Sequence, residues 1–278
     1  MDQDTGTADR SARFRDKVAV VTGGAGGLGQ AICAAFLAEG ASVQVLDANA
    51  EAVALAVEQL GASTTQGRSP GRGTGAMGII GSVVDVREPE QVTAALQQAV
   101  DELGRIDILI AAAGGSLGTP RDLADINEDA LDLVIDVNVK GTFYCAQAAI
   151  PHMRASGGGS IVTFSSIGGR STSPVTGVPY AAAKAGILGL TRRLAREVGP
   201  DGIRVNAIAP GLFLTGRLTG MFDAMSEPDR RSVIEGIPLG RMPDLRECVD
   251  PVLFLASDEA SYITGVVLDV NGGRFMSG

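Results

Sequence analysis

The stretch Val18-Ala-Val-Val-Thr22-Gly-Gly-Ala-Gly-Gly-Leu-Gly29 decides the fold. A β-branched run passes straight into glycines and then into a helical pattern from Gln30 to Glu39, which predicts strand, tight turn and helix. Main-chain N–H groups at a helix start attract an anion, and glycines let a pyrophosphate approach the backbone. Two frames fit: Gly24, Gly26 and Gly29 spell G-x-G-x-x-G, while Thr22-Gly23, Gly27 and Gly29 spell T-G-x-x-x-G-x-G. Spacing alone leaves both open. The next strand, Ser42-Val-Gln-Val-Leu46, ends at Asp47, a carboxylate that would accept hydrogen bonds from an adenosine ribose and repel a 2'-phosphate. NAD is therefore expected rather than NADP, and no Lys or Arg stands at Gly24 to Gly26 or at Ala48-Asn49 to oppose it.

Outward from this unit, short apolar runs alternate with longer helical patterns. Strands are expected at Val18–Thr22, Ser42–Leu46, Ile79–Val84, Ile106–Ala111, Ser160–Phe164, Ile203–Ala207 and Val266–Asp269. Helices are expected at Gln30–Glu39, Glu51–Leu60, Glu88–Leu103, Asn127–Arg154, Tyr180–Val198 and Arg246–Ala256. Such alternation implies a Rossmann-type, doubly wound α/β domain, a parallel sheet of about seven strands with helices on both faces. Residues 1–15 read as a flexible polar tail and 16–278 as one catalytic domain. Within it, 61–78 is rich in Gly, Ser, Thr and Arg and reads as a flexible loop, whereas 211–243 carries Leu212, Phe213, Leu214, Leu218, Met221, Phe222 and Met225 among polar residues. That second segment suits a lid over a substrate, or a plain amphipathic helix on the sheet.

The net charge of -9 argues against a nucleic-acid partner, because phosphate binding needs a basic face. No apolar run is long enough to span a membrane, and the first fifteen residues lack the apolar stretch of a signal peptide. Cys33, Cys145 and Cys248 are far apart and odd in number, so neither a disulfide framework nor a metal site is suggested, and a reducing, cytoplasmic setting follows. His152 is the only histidine and sits beside Pro151 at an expected helix end, a structural position.

Chemistry centres on Tyr180-Ala-Ala-Ala-Lys184. Residues four apart share a helical face, so a phenol and an ammonium stand side by side. A neighbouring cation favours phenolate, and Lys184 is expected to lower the Tyr180 pKa.

Together these features resemble the classical short-chain dehydrogenase/reductase family, from about Lys17 to Arg274. Thr22-Gly23, Gly27 and Gly29, with Leu28 between the last two, are similar to the family's cofactor loop, and Asp47 to its NAD-type acid. Asp85-Val86 resembles the pair that meets the adenine. Ala112-Ala113-Gly114 stands where the family usually has Asn-Ala-Gly, a departure expected to alter sheet support more than catalysis. Asn138 in Asn138-Val-Lys-Gly141 is similar to the active-site asparagine, and Ser166 to the catalytic serine, with Ser165 as the alternative. Tyr180 and Lys184 match the signature pair. Pro210-Gly211, followed by Phe213 and Thr215, resembles the segment that holds the nicotinamide amide, and Tyr262 to Gly273 the last strand of the family's tetramers.

The resemblance implies a secondary alcohol/ketone oxidoreductase on a small, apolar or cyclic molecule, assembled as a homotetramer or dimer. Tyr180 would carry the proton, Lys184 would hold the nicotinamide ribose, Ser166 the reacting oxygen, and Asn138 a water that relays the proton. NAD favours the oxidising direction. Two other readings remain: an NADPH-dependent 3-oxoacyl reductase, which Asp47 opposes, and a non-catalytic nucleotide sensor, which the four-residue set opposes.

Overall fold

The computed structural model describes residues 12–66, 78–172 and 176–277. Seven strands form one parallel sheet: β1 (Val18–Thr22), β2 (Ser42–Asp47), β3 (Ile79–Val83), β4 (Ile108–Ala111), β5 (Gly159–Phe164), β6 (Ile203–Pro210) and β7 (Val267–Val270), in the order β3-β2-β1-β4-β5-β6-β7. Chain order reverses between β1 and β4, and at such a switch point the loops at the carboxyl ends part to leave a crevice. Helices α1 (Gly27–Ala38), α2 (Ala50–Gln66), α3 (Pro89–Leu103), α4 (Glu128–Ile135), α5 (Gly141–Ala155), α6 (Val178–Val198), α7 (Arg217–Asp223), α8 (Glu227–Glu235) and α9 (Arg246–Ala256) follow in sequence.

Alternation in the strands divides the core. Ala19 and Val21 point to the side packed by Ile32, Phe36 and Val252, while Val20 points to the side of Leu96, Ala146 and Met153. Both faces are covered, which is why β1 reads as an unbroken apolar run instead of an alternating one.

The expected segments differ from the structure in four places. The Asn127–Arg154 pattern is not one helix: a π turn over Asp136–Lys140 divides α4 from α5. The loop expected at 61–78 begins later, because α2 runs on to Gln66; 67–77 lie outside the described residues. The tail expected at 1–15 ends earlier. Residues 1–11 lie outside the described residues, but Phe14 is buried edge-to-face on Phe36 with ring centroids 4.9 Å apart, and Arg13 pairs with Glu39 at 2.6 Å. One aromatic side chain with ~2–3 kcal/mol to gain from burial recruits this segment, which a charge-rich reading overlooks. Finally, the segment 211–243 contains α7 and α8. No helix among the described residues is long and apolar enough to cross a membrane.

Candidate active site

The packing of the glycine turn favours one of the two frames. Gly23 has φ +64 and sits so close to β4 that a Cβ would lie 3.0 Å from Ala113 Cα. A Cβ on Gly29 would fall 2.1 Å from Gly23 O, and one on Gly27 would lie 3.0 Å from Thr215 Cβ. Gly26, required only by the other frame, would meet nothing closer than 3.5 Å. Space demands glycine at Gly23, Gly27 and Gly29, every glycine of the T-G-x-x-x-G-x-G frame, and also at Gly24, where a Cβ would be 2.7 Å from Val21 O; of the G-x-G-x-x-G frame only Gly26 has room.

These glycines open onto a cleft of about 610 Å3 lined also by Leu28, Asp47, Asp85, Val86, Ala112, Ala113 and Gly114. The helix start and the close glycines fit a pyrophosphate, and Asp47 at the tip of β2 fits a ribose diol. Seven residues of the expected cofactor set, Thr22, Tyr180, Lys184, Pro210, Gly211, Phe213 and Thr215, do not line this cleft. Thr22 is buried behind the loop, where its hydroxyl accepts from Ala113 N at 3.0 Å and ties β1 to β4. That bond supports the sheet beside Ala112, the residue that departs from the family pattern. Phe213 turns its ring into the core, since a large apolar side chain gains more there than against a polar ligand. Gly211 lines a second cavity with Phe213, while Pro210 ends β6 and Thr215 packs against Gly27.

Six lining residues, Ala48, Val84, Arg87, Leu117, Leu133 and Val137, stand outside the expected cofactor set and both glycine frames. Arg87 reaches the cleft although it is remote in sequence from the positions searched for a cation. Its Nε donates to both Asp85 oxygens at 3.0 Å, and this guanidinium holds the Asp85 carboxyl below the usual range. Leu117 lines the cleft with φ +54, a conformation costly for a leucine and invisible in residue type.

At the ends of β5 and α6 the chemistry-bearing side chains meet. Pro179 in the first turn of α6, followed by three alanines, suits helix initiation. Lys184 is buried and its Nζ donates to Phe164 O at 2.8 Å. The two serines separate by role. Ser165 Oγ donates to Lys184 O at 2.8 Å in the interior, so it fastens β5 to α6. Ser166 accepts from Gly168 N at 3.1 Å, and its hydroxyl acts on the Tyr180 phenol as a neighbour that favours the charged form. Gly169 permits this: a Cβ there would be 2.5 Å from the Lys184 carbonyl carbon, so any larger residue would push the serine turn off α6. Its spacing, three residues beyond Ser166, was the unused signal.

The expected electrostatics are corrected. Lys184 Nζ lies over the Tyr180 ring, 5.7 Å from its centroid, and not against the hydroxyl. Burial raises the Tyr180 pKa, with the Ser166 hydroxyl pulling weakly the other way, and burial pushes Lys184 down to about 8. In a dry site the cost of each charged form outweighs the attraction available at this distance.

Asn138 is held from both ends of its amide. Its Nδ2 donates to Gly115 O and Val134 O at 2.9 Å each, and its Oδ1 accepts from Gly115 N at 3.0 Å. Both amide protons are committed to carbonyls, so the side chain clamps the Gly115 peptide. Within the π turn Asn138 is fully buried, and Gly114 lies between its Oδ1 and Lys184 Nζ.

Comparison with known proteins agrees with this geometry. A family model described as Enoyl-(Acyl carrier protein) reductase matches residues 23–274. The chain is 37% identical over 259 residues to a 3alpha-hydroxysteroid dehydrogenase of Mediterraneibacter gnavus, covering 93% of this chain and 97% of that protein. It is 35% identical over 265 residues to a cyclohexanol dehydrogenase of Rhodococcus sp. strain TK6, covering 94% and 96%. The crystal structure of levodione reductase superposes with a TM-score of 0.84 at 31% identity, covering 94% of this chain and 98% of that one. With the parallel sheet, the glycine cleft and the Ser166, Tyr180 and Lys184 cluster, these matches show that the chain belongs to the short-chain dehydrogenase/reductase family of NAD(P)-dependent oxidoreductases.

Proposed function

We propose that the chain interconverts a secondary alcohol and a ketone with NAD(H), on a small, apolar or cyclic substrate. The observation that carries this reading is the gathering of Ser166, Tyr180 and the buried Lys184, whose Nζ lies over the Tyr180 ring and beside Gly114 of the glycine-lined cleft. Bound there, the nicotinamide supplies the hydride acceptor or donor. Gly23, Gly27, Leu28 and Gly29 would hold the pyrophosphate, Asp47 the adenosine ribose, Asp85 and Val86 the adenine, and Lys184 the nicotinamide ribose. Pro210, Gly211, Phe213 through its main chain, and Thr215 would hold the carboxamide.

Tyr180 carries the proton. Burial keeps its phenol protonated at neutral pH, so its resting form can donate to a ketone oxygen, and alcohol oxidation gains as rising pH favours the base. Ser166 holds the reacting oxygen against Tyr180. Asn138 is a positioning residue that fixes the Gly114-Gly115 corner beside Lys184. The segment 211–243 serves as the substrate lid on a single catalytic domain spanning 16–278. A hydroxysteroid and a cyclohexanol dehydrogenase among the relatives support a cyclic substrate.

NAD is preferred because Asp47 lines the ribose end of the cleft, while Arg87, the cation nearby that could receive a 2'-phosphate, is neutralised by Asp85. Titration with NADH and NADPH, read by nicotinamide fluorescence, tests this: NADH binds more tightly, and tighter NADPH binding overturns the assignment. Three buried free thiols suit a reducing cytoplasm. Exposed apolar groups at Phe143 on α5 and at Tyr262 and Val266 beside β7 support a homotetramer.

A further inference from the structure

Between the end of β7, the 237–243 segment and the C-terminal residues lies a second cavity, of about 350 Å3, to which Asn138, Ser166, Tyr180 and Lys184 contribute nothing. Its volume falls within the range of about 300–1,000 Å3 common for small-molecule sites. Leu212, Phe213, Ile237, Leu239, Pro243 and Phe275 give it apolar walls, and Leu239 stays 67% exposed although apolar.

Several polar groups on these walls lack a partner among the described residues. Asn271 Oδ1 accepts from Gly273 N at 3.0 Å and from Phe275 N at 3.3 Å, which fixes the orientation of the amide. Its Nδ2 is then buried with no partner among the described residues. Arg274, half-buried on the same wall, has no ion pair and no side-chain hydrogen bond among the described residues. Arg241 differs, being held by both oxygens of Glu247 at 2.6 and 2.7 Å. Asp269 gives one oxygen to Arg170 at 2.9 Å, under the Phe275 ring, while its Oδ1 is buried and unpaired. An unpaired buried donor is costly, and a ligand that accepts from it recovers that cost.

We propose that this cavity is a second binding site, for an amphipathic monocarboxylate. The carboxylate is received by Asn271 Nδ2 and Arg274, and the apolar body lies on Leu212, Phe213 and Leu239. A single negative charge fits better than a phosphate dianion, because Arg274 is the one uncompensated cation on the wall and the Asp269 and Glu247 carboxylates stand on it too. The site also reports to the cofactor loop. Phe213 is part of its wall, and Thr215, two residues on, rests against Gly27. Occupancy and cofactor affinity are therefore linked, and the linkage is reciprocal.

The test titrates the full chain with 4-fluorophenylacetate, read by 19F NMR, with and without saturating NADH. One saturable site per chain is expected, persisting with NADH and in Tyr180→Phe. Asn271→Asp keeps the acceptor that the Gly273 and Phe275 N–H groups need but replaces the donor with a second acceptor. It should weaken the probe about tenfold or more, as should Arg274→Gln. The NADH dissociation constant should shift when the probe is saturating, by the same factor that NADH shifts the probe. The site is overturned by absence of saturable binding at millimolar probe, by affinity unchanged in both variants, or by displacement with NADH; an unmoved NADH constant overturns the linkage. NADH binding and turnover are read separately, so these outcomes do not depend on the reading of the catalytic site.

Discussion

Lys184 illustrates at the scale of one residue how function opposes stability. Its ordinary pKa of 10.5 falls to about 8 because the ammonium is buried, where it donates to the main-chain carbonyl of Phe164. Below pH 8 the folded and unfolded chains both hold the proton, and the burial penalty is at its full size, about 3 kcal/mol for a shift of this extent. Between pH 8 and 10.5 the unfolded chain retains a proton that the folded chain has lost, so this contribution to stability rises with pH. Urea unfolding of wild type and Lys184→Met across pH 7 to 11 checks the sign: the wild type should gain on the variant by up to about 3 kcal/mol through that window. A constant difference would remove the assigned shift. The pairing of Tyr180 with Lys184 was legible from four-residue spacing, because helical geometry is set by sequence separation. The direction of the Tyr180 shift was not, because it depends on burial and on where Nζ points, which spacing does not encode. Asn138 was likewise legible by position, but its clamp on Gly115 was not, since that peptide lies 23 residues away.

At the scale of elements, the glycine turn and the 211–215 segment form one device. Glycine is needed at Gly27 because Thr215 comes down on it. Gly27→Ala should therefore weaken NADH binding by about tenfold, roughly 1.4 kcal/mol. Adding Thr215→Ser, which removes the Cγ2 atom 3.1 Å from the introduced methyl, should recover part of that loss. Isothermal titration of the single and double variants measures the coupling, and strictly additive effects would mean that the contact does not form. All seven strands were legible, since parallel strands buried on both faces are written as short apolar runs between turns. The break between α4 and α5 was not. The apolar periodicity from Asn127 to Arg154 carries through the π turn, within which Asn138 is buried and bonded to Gly115.

For the whole molecule, the chain leaves apolar side chains in solvent that a lone subunit has no reason to expose. Phe143 is 43% exposed on α5 and Tyr262 fully exposed near the outer edge of the sheet. Sedimentation equilibrium should give four times the 28.4 kDa chain mass, and Phe143→Glu with Tyr262→Glu should lower it. A wild-type monomer would refute the assembly. The central claim is that Tyr180 passes the proton while the rest of the site holds NAD(H), and NADH absorbance at 340 nm over a panel of cyclic alcohols and ketones tests it most directly. Wild-type protein should turn over at least one pair, whereas Tyr180→Phe, with its NADH dissociation constant within about twofold of wild type, should lose at least about a thousandfold in kcat. Turnover by Tyr180→Phe at a rate near that of the wild type would contradict it.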